Sequence, residues 1–423
     1  MNLTNLNVKK TQFIPLGEEG LFKSYDFAND DSEVNLLFAV DGGSTQTRVA
    51  VIEEGGAGAD EVFVIPSNMV PLKDDREIKP KSDYLYDQLD SALICQSKMT
   101  QTMIQRERIV RATKMIDTGL SPETISSTVQ KIDESIFYIN IVDSIGYALM
   151  QKYGNSIPKK VTCAVGVALP PDDMESTKNI DKFRDNLIST YRFIHNDSGV
   201  EIEIEIVNVA VETEPGAFVK AYYATTGEEV PEKVLCINTG GRSIGAAVLE
   251  NSKLNDTASQ TFAYGGNQYL AEIGKIYNNR QGGRAPKHHF LARAVQTGRL
   301  KTGNNSIDIT SDIESAARVY GDRIFGDIVK NVCDRSGISL EDINVVLVCG
   351  GMIRRGEHGI SLADYIGQKF EERSPYTEFV TVEDNLIPLG VALTVYGEFE
   401  DIFVGDAEEE VTEEVESYNT DEM

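Results

Sequence analysis

Two glycine-rich turns lie about half the chain apart in the 423-residue sequence. The first, Asp41 to Thr47, reads Asp-Gly-Gly-Ser-Thr-Gln-Thr, and the second, Asn238 to Ser243, reads Asn-Thr-Gly-Gly-Arg-Ser. Glycines let consecutive N–H groups converge on an anion, and Ser and Thr hydroxyls add donors, so these residue types suit phosphate binding. The candidate phosphate-binding residues are Gly42, Gly43, Ser44, Thr45, Gln46, Thr47, Thr239, Gly240, Gly241, Arg242 and Ser243.

Apolar runs on both sides of each turn predict two β-hairpins with polar tips. Residues 36–40 and 49–52 flank the first turn, and residues 234–237 and 246–249 flank the second. One Gly-Gly turn is more often an ordinary hairpin turn than a phosphate site. The pairing changes this interpretation, because two facing tips would hold a triphosphate from both sides.

A third glycine pair follows a buried-strand pattern, Val345 to Cys349. A backbone without side chains at Gly350 and Gly351, followed by Met352 and Ile353, would admit a purine and ribose. The sequence contains neither a Walker A motif nor a Rossmann G-x-G-x-x-G that opens a helix, so the commoner nucleotide folds are disfavoured.

Length, charge and cysteine usage restrict the class of protein. A chain of 423 residues predicts at least two domains. The net charge of −27 argues against direct nonspecific binding to DNA or to an anionic membrane. The absence of a signal-peptide core and of an apolar run of about 20 residues predicts a soluble, cytoplasmic protein. We interpret five widely spaced cysteines as reduced and buried, namely Cys95, Cys163, Cys236, Cys333 and Cys349.

The hydrophobic pattern divides the chain into two related α/β halves. Residues 1–33 are an extension of no evident role, 34–212 form a first domain completed by a C-terminal helix at 385–400, and 213–384 form a second. In the first half, residues 131–152 predict a strong helix and residues 101–115 a weaker one. Residues 401–423 are strongly acidic and are predicted to be disordered.

With these motifs in order, the chain resembles the ParM-type bacterial actin-like proteins of the actin, Hsp70 and sugar-kinase superfamily. The resemblance covers roughly residues 34–398 and is one of motif order. Its phosphate-1, connect-1, phosphate-2, adenosine and connect-2 motifs correspond respectively to residues 41–47, 209–217, 238–243, 348–353 and 385–392. The Gly-Val-Ala-Leu-Pro-Pro segment at 166–171 also looks like a segment of ParM relatives.

The resemblance implies an α/β actin-like fold whose two domains enclose a cleft for Mg²⁺ and ATP, or GTP. It also implies polar filaments that move plasmids, with a DNA-binding adaptor as a further partner and no direct contact with DNA or membrane. Asp41 and Asn238 then stand at the metal-binding positions, and Glu212 at the position of the water-positioning residue. Glu214 is a neighbouring carboxylate that we interpret as a solvated loop charge.

Asn238 departs from the family pattern, and the base-contact candidates are chosen by position alone. Phosphate-2 normally begins with Asp, and Asn238 removes a negative charge beside the metal, for which Arg242 would compensate by contacting the phosphates. Gly350, Gly351, Met352 and Ile353 are the expected adenosine site, and Arg299 and Lys301 are base-contact candidates by position.

Other functions within the superfamily remain open. A sugar or acetate kinase shares the fold, and Glu212 alone does not exclude it. An Hsp70-type chaperone would need a substrate domain after the nucleotide domain, and an FtsA-type division protein would be expected to end in a membrane helix. Sedimentation with and without nucleotide separates a filament former from a kinase.

Overall fold

The structure is a computed structural model, and its elements are numbered in chain order. It describes residues 9–12, 33–43, 46–53, 61–67, 69–72, 88–95, 106–112, 130–154, 156–196, 198–282, 285–302, 305–353, 361–382 and 385–403. The predictions for Ser44, Thr45 and the acidic tail from residue 404 onward lie outside the described residues.

Ten of the described strands form the first sheet, in the spatial order β1-β4-β3-β2-β8-β10-β9-β6-β7-β5. Their bounds are β1 Lys9–Gln12, β2 Glu33–Gly42, β3 Gln46–Ile52, β4 Glu61–Pro66, β5 Met69–Leu72, β6 Gln88–Cys95, β7 Arg106–Ala112, β8 Lys160–Leu169, β9 Ser189–His195 and β10 Val200–Thr213. Strands β2, β8 and β10 run parallel at its centre, where both faces are covered and the sequence is almost continuously apolar.

Five strands form the second sheet, in the order β13-β12-β11-β16-β17. Their bounds are β11 Lys233–Thr239, β12 Ile244–Glu250, β13 Lys253–Phe262, β16 Val345–Cys349 and β17 Glu378–Thr381. Three antiparallel strands followed by two parallel additions repeat the arrangement of β4-β3-β2-β8-β10 in the first sheet. The two halves of the chain therefore share one strand topology, as the duplicated hairpins predicted.

Helices cover both sheets and fill the space between them. Their bounds are α1 Ser135–Tyr153, α2 Thr177–Leu187, α3 Glu214–Thr226, α4 Gly266–Gln281, α5 His288–Thr297, α6 Thr310–Ile328, α7 Leu362–Arg373 and α8 Ile387–Phe399. Helix α1 packs on one face of the first sheet, and α4, α6 and α7 pack on one face of the second. Helices α3 and α8 share a core with the inner faces of both sheets, so they connect the two halves.

Helices α3 and α8 cross at very close range. A Cβ atom added to Gly390 would lie 1.7 Å from the carbonyl oxygen of Ala217, so only glycine allows this crossing. The crossing holds the connect-1 and connect-2 motifs together, because α3 begins within the first motif and α8 contains most of the second.

One helix prediction is wrong. Within the weaker helix predicted at 101–115, residues Arg106–Ala112 form strand β7, paired on both edges with β5 and β6. Arg108 bonds Asp90 on β6, and Arg111 is fully buried against Asp143 on α1. These long-range partners override the local helical spacing of the apolar residues.

Near the two ends of the chain, the described residues add one strand and one short turn to the architecture. Lys9–Gln12, in the extension of no evident role, pairs antiparallel with β4 at the edge of the first sheet. A 3₁₀ turn, Glu400–Phe403, follows α8, and Ile402 packs against the core between the sheets. In the described part of the chain, no helix is both long and apolar enough to cross a membrane.

Candidate functional site

Both predicted hairpin turns are present. In the first, Asp41 pairs with Arg48 and Gly42 with Thr47, and the N–H of Gly43 donates to the carbonyl of Asp41 over 3.0 Å. In the second, Thr239 pairs with Ile244, and the N–H of Gly240 donates to the carbonyl of Ser243 over 2.9 Å. In the described residues, both hairpins are buried strand pairs, and backbone N–H groups at such strand ends suit phosphate binding.

The adenosine segment lies directly against the second turn. Gly350 has a φ of +104°, and a Cβ there would lie 2.4 Å from the carbonyl oxygen of Thr239, so this position requires glycine. The Thr239 hydroxyl donates to the carbonyl of Cys349 over 2.7 Å. Met352 packs against the start of α4, within 2.9 Å of where a Cβ of Gly266 would be.

The start of α4 is tied to the same turn. The N–H groups of Gly266 and Asn267 donate to the carbonyls of Gly240 and Gly241 over 2.9 and 2.8 Å. The backbone of the second turn is thus held by its own strand pairing on one side and by a helix N-terminus on the other. This bracing fixes the loop geometry before any ligand binds.

Asp41, the predicted metal-binding residue, is 5% exposed at the end of β2. Its Oδ2 accepts from Nδ2 of Asn385 over 3.0 Å and from a guanidinium nitrogen of Arg48 over 3.3 Å. Asn385 belongs to the connect-2 motif, so the structure brings phosphate-1 and connect-2 together. In the described residues, no three His, Cys, Asp or Glu side chains form a metal site by themselves.

Glu214 is the carboxylate that joins the two turns. Its Oε1 accepts from Nζ of Lys131 over 2.7 Å, and its Oε2 accepts from Nδ2 of Asn238 over 2.8 Å. Nζ of Lys131 also lies 3.3 Å from the carbonyl of Gly42 in the first turn. Glu214 is 9% exposed, so our interpretation of it as a solvated loop charge is wrong.

Local structure explains the position of Glu214. Strand β10 ends at Thr213, whose hydroxyl accepts from the N–H of Gly216 and caps α3. Glu214 is the first residue of that helix, followed by Pro215, which suits a first turn because it lacks an N–H. A carboxylate in the first turn is also stabilised by the positive end of the helix dipole.

Glu212, the predicted catalytic residue, lies elsewhere. Its carboxylate forms an ion pair with Lys220 on α3, and its Oε2 accepts from the Thr394 hydroxyl on α8 over 3.4 Å. It thus contacts the two helices between the sheets, whereas Glu214 contacts Asn238 of the second hairpin and is linked through Lys131 to Gly42 of the first. The catalytic role of Glu212 stays a prediction, and the geometry favours Glu214.

Lys131 and Asp173 are site residues that the sequence analysis missed. The backbone N–H of Lys131 donates to Oδ2 of Asp173 over 3.2 Å. Burial lowers the pKa of Lys131, but the charges of Glu214, Asp41 and Asp173 outweigh burial and leave its pKa raised. Burial also raises the pKa of Asp173 to about 7, against the opposing effect of Lys131. Lys131 belongs to no motif, and only the packing of the turn before α1 brings it to Gly42.

Arg242 lies in the second turn and is partly exposed. Burial lowers the pKa of its guanidinium, and the carboxylate of Glu134, just before α1, opposes that effect. This electrostatic interaction reaches from the second half of the chain to the first. Arg242 remains a cation under ordinary conditions, since a guanidinium does not lose its proton in proteins.

Arg299 and Lys301 lie on a separate two-stranded sheet formed by β14 (Arg299–Thr302) and β15 (Asn305–Asp308). Both side chains are exposed, and Nε of Arg299 donates to the Ser306 hydroxyl over 3.0 Å. Their contact with a base stays a prediction.

Comparisons with known proteins identify the fold. No protein-family model matches the chain, and no curated protein matches it by sequence. The apo psk41 ParM protein aligns at a TM-score of 0.59 and 13% identity, covering 88% of this chain and 99% of its own. Bacillus thuringiensis ParM with ATP aligns at a TM-score of 0.56 and 15% identity over 86% of this chain and 99% of its own. The Alp12 filament structure aligns at a TM-score of 0.53 and 12% identity over 86% and 98%. These similarities over most of the chain, together with the repeated strand topology, show that this protein has the actin-like fold.

Proposed function

We propose that this protein is a nucleotide-dependent ATPase or GTPase that polymerises into filaments and segregates plasmid DNA. The observation that carries the proposal is the bridge between the two hairpin turns. Glu214 bonds Lys131 beside Gly42 and bonds Asn238 in the second turn, so both loops face one site. The solved structures of Bacillus thuringiensis ParM with ATP and of the Alp12 filament support a nucleotide and self-assembly for this fold.

The residues around the two turns fit a Mg²⁺-bound triphosphate. Backbone N–H groups and hydroxyls of the turns would hold the phosphates, and Asp41 would hold the hydration shell of the metal. Mg²⁺ bound to the phosphates would neutralise charge as the terminal phosphoryl group is transferred. Gly351, where an added Cβ would meet no atom within 4 Å, leaves room for the nucleoside beside the second turn.

For hydrolysis we propose that Glu214 positions the attacking water. Glu212, predicted for this role from the sequence, is the alternative. A carboxylate that orients an attacking water must lie beside the terminal phosphate. Glu214 bonds Asn238 of the second turn and is linked through Lys131 to Gly42 of the first. Glu212 is engaged with Lys220 and Thr394 on the helices between the sheets. Lys131, between Gly42 and Glu214, is a cation that could contact a terminal phosphate.

Assembly follows from closure of the cleft. A triphosphate held between the turns would draw the two halves together around α3 and α8 and form the polymerising surface. Head-to-tail contacts between identical subunits then give an open filament. We place the first domain at 34–212 with the helix at 385–400 and the second at 213–384. We also propose a cytoplasmic location and a basic, DNA-binding adaptor as the link to the plasmid.

The test combines nucleotide binding, phosphate release and sedimentation on the full chain. Wild type is expected to bind Mg-ATP or Mg-GTP, to release phosphate and to pellet with nucleotide. Glu214→Ala is expected to bind and pellet but to release phosphate about 10² to 10⁴ times more slowly, whereas Glu212→Ala keeps turnover within about threefold. The reverse pattern would return the catalytic role to Glu212. Nucleotide turnover without pelleting, stimulated by a sugar or acetate, would favour the kinase.

A further inference from the structure

Asn238 occupies the position where the metal-binding residue was expected, yet both ends of its amide are already engaged. Its Nδ2 donates to Oε2 of Glu214 over 2.8 Å, and its Oδ1 faces the Cys349 thiol at 3.7 Å. A carboxylate only accepts hydrogen bonds, so the NH₂ end must point to Glu214 and the carbonyl end to the thiol. The thiol of Cys349 is a weak donor, so it suits the carbonyl oxygen of the amide.

The orientation of the amide bears on metal binding. The carbonyl oxygen is the one atom of Asn238 that ligates a hard cation, and it is turned towards the sulfur of Cys349 on β16. The side chain is 7% exposed. An oxygen that already accepts from the thiol has one lone pair fewer for Mg²⁺ or for its water shell.

The same geometry explains why an amide, and not a carboxylate, stands at this position. An Asp at 238 would set two carboxylates 2.8 Å apart at a site that is almost fully buried. Like charges at that distance repel strongly because little water screens them. Nζ of Lys131 already occupies the other oxygen of Glu214, so its single charge would be shared between two acids.

We propose that Asn238 is a positioning residue for Glu214 and not a metal ligand, with Lys131 fixing the second carboxylate oxygen. The proposal rests on the proposed nucleotide hydrolysis and adds how its water-positioning group is held. Two donors on opposite oxygens, one from each half of the chain, leave the Glu214 carboxylate a single orientation. Asn238 and Glu214 therefore act as a matched pair.

The test is a double-mutant cycle on the full chain with Asn238→Leu, Glu214→Gln and the double variant. Leu retains the approximate size of Asn and removes its donor. Asn238→Leu is expected to lower phosphate-release turnover about tenfold to a hundredfold, which corresponds to the loss of one hydrogen bond to a charged group. The Mg²⁺ concentration at half-maximal turnover and the nucleotide KM should stay within about threefold. On the Glu214→Gln background, Asn238→Leu should change turnover by less than about threefold.

Asn238→Asp and a matched control sharpen the test. A metal-ligand role predicts that Asp tightens Mg²⁺ dependence and speeds turnover, whereas a positioning role predicts slower turnover and a lower unfolding midpoint. Glu214→Gln in the Asn238→Asp background should restore the midpoint, since Gln donates to the new carboxylate, without restoring turnover. Asn186→Leu, on α2 and away from both turns, should leave turnover and Mg²⁺ dependence unchanged.

Three results would overturn the positioning role. They are a tenfold or greater rise in the half-maximal Mg²⁺ concentration for Asn238→Leu, effects that multiply in the double variant, and faster turnover by Asn238→Asp. If wild type turns over nucleotide and Asn238→Leu turns over at the same rate, this inference is rejected but the proposed function is not. A wild type that releases no phosphate would reject the proposed function and this inference together.

Discussion

Arg111 provides the most quantitative prediction about the fold. Its side chain is fully buried, and its Nε donates to Oδ2 of Asp143 over 2.5 Å. The guanidinium also donates to Oδ1 of Asn140 over 2.7 Å and to the carbonyl of Pro66 over 2.9 Å. Replacing Arg111 with Met leaves the buried Asp143 without its cation.

The expected cost follows from burial. Removing one partner of a buried ion pair lowers the free energy of unfolding by about 3–5 kcal/mol, because the remaining charge is uncompensated. Arg192 and Glu201 form a matched exposed pair, also at 2.5 Å, with side chains 40% and 49% exposed. For such a pair the expected effect of Arg192→Met is at most about 1 kcal/mol.

The assay is urea unfolding followed by far-UV circular dichroism, since the chain contains no Trp. Arg111→Met should lower the unfolding free energy several times more than Arg192→Met. The double variant Arg111→Met with Asp143→Leu should recover part of the loss, because no buried charge is then left unpaired. Equal, small losses for Arg111→Met and Arg192→Met would refute the reasoning.

The network around Arg111 also reaches the first phosphate turn. Nδ2 of Asn140 donates to the Thr47 hydroxyl over 2.5 Å, and that hydroxyl lies 2.8 Å from the hydroxyl of Ser67. The Ser67 hydroxyl donates to the carbonyl of Gly43 over 2.6 Å. The stability of the outer strands and the shape of the turn are therefore physically connected.

Three further predictions concern the helix crossing, pH and the tail. Gly390→Ala should lower the unfolding midpoint sharply because its Cβ would overlap Ala217, whereas Gly397→Ala in the same helix meets open space and should stabilise by about 1 kcal/mol; equal midpoints would contradict the crossing. The pKa of Asp173 is raised from 3.8 to about 7, so the folded state binds the Asp173 proton more tightly than the unfolded state does. The stability that the protonated side chain contributes is therefore complete below about pH 4 and is lost as pH rises through 7. Asp173→Asn should therefore flatten the fall of the urea midpoint between pH 4 and 7, and an unchanged slope would disprove the assignment. Truncation after Phe403, placed there because the 3₁₀ turn packs on the core, should leave nucleotide binding intact and increase filament bundling at low salt; loss of binding would show that the tail is structural.

The parts of the fold that local pattern determines were predictable. Continuous apolar runs beside Gly-Gly turns identified both hairpins, and period-three and period-four spacing identified α1. Strand β7 was missed because its conformation depends on Asp90 and Asp143, which lie far away in sequence. No window of the local sequence contains that information.

The site was predictable at the level of motifs and not of individual side chains. The turns, Asp41 and the Gly350 pair follow from glycine and carboxylate positions in the sequence. The choice between Glu212 and Glu214 depends on where β10 gives way to α3, a boundary that a single sequence defines poorly. Lys131 reaches Gly42 only through tertiary packing, so no spacing rule identifies it.

We propose that Mg-nucleotide between the two turns controls assembly, and light scattering and phosphate release recorded in the same reaction test this directly. Wild type should scatter light only after Mg-ATP or Mg-GTP is added, with phosphate release following assembly. Asp41→Ala should neither bind Mg-nucleotide nor scatter. Undiminished, nucleotide-independent assembly by Asp41→Ala would contradict the account.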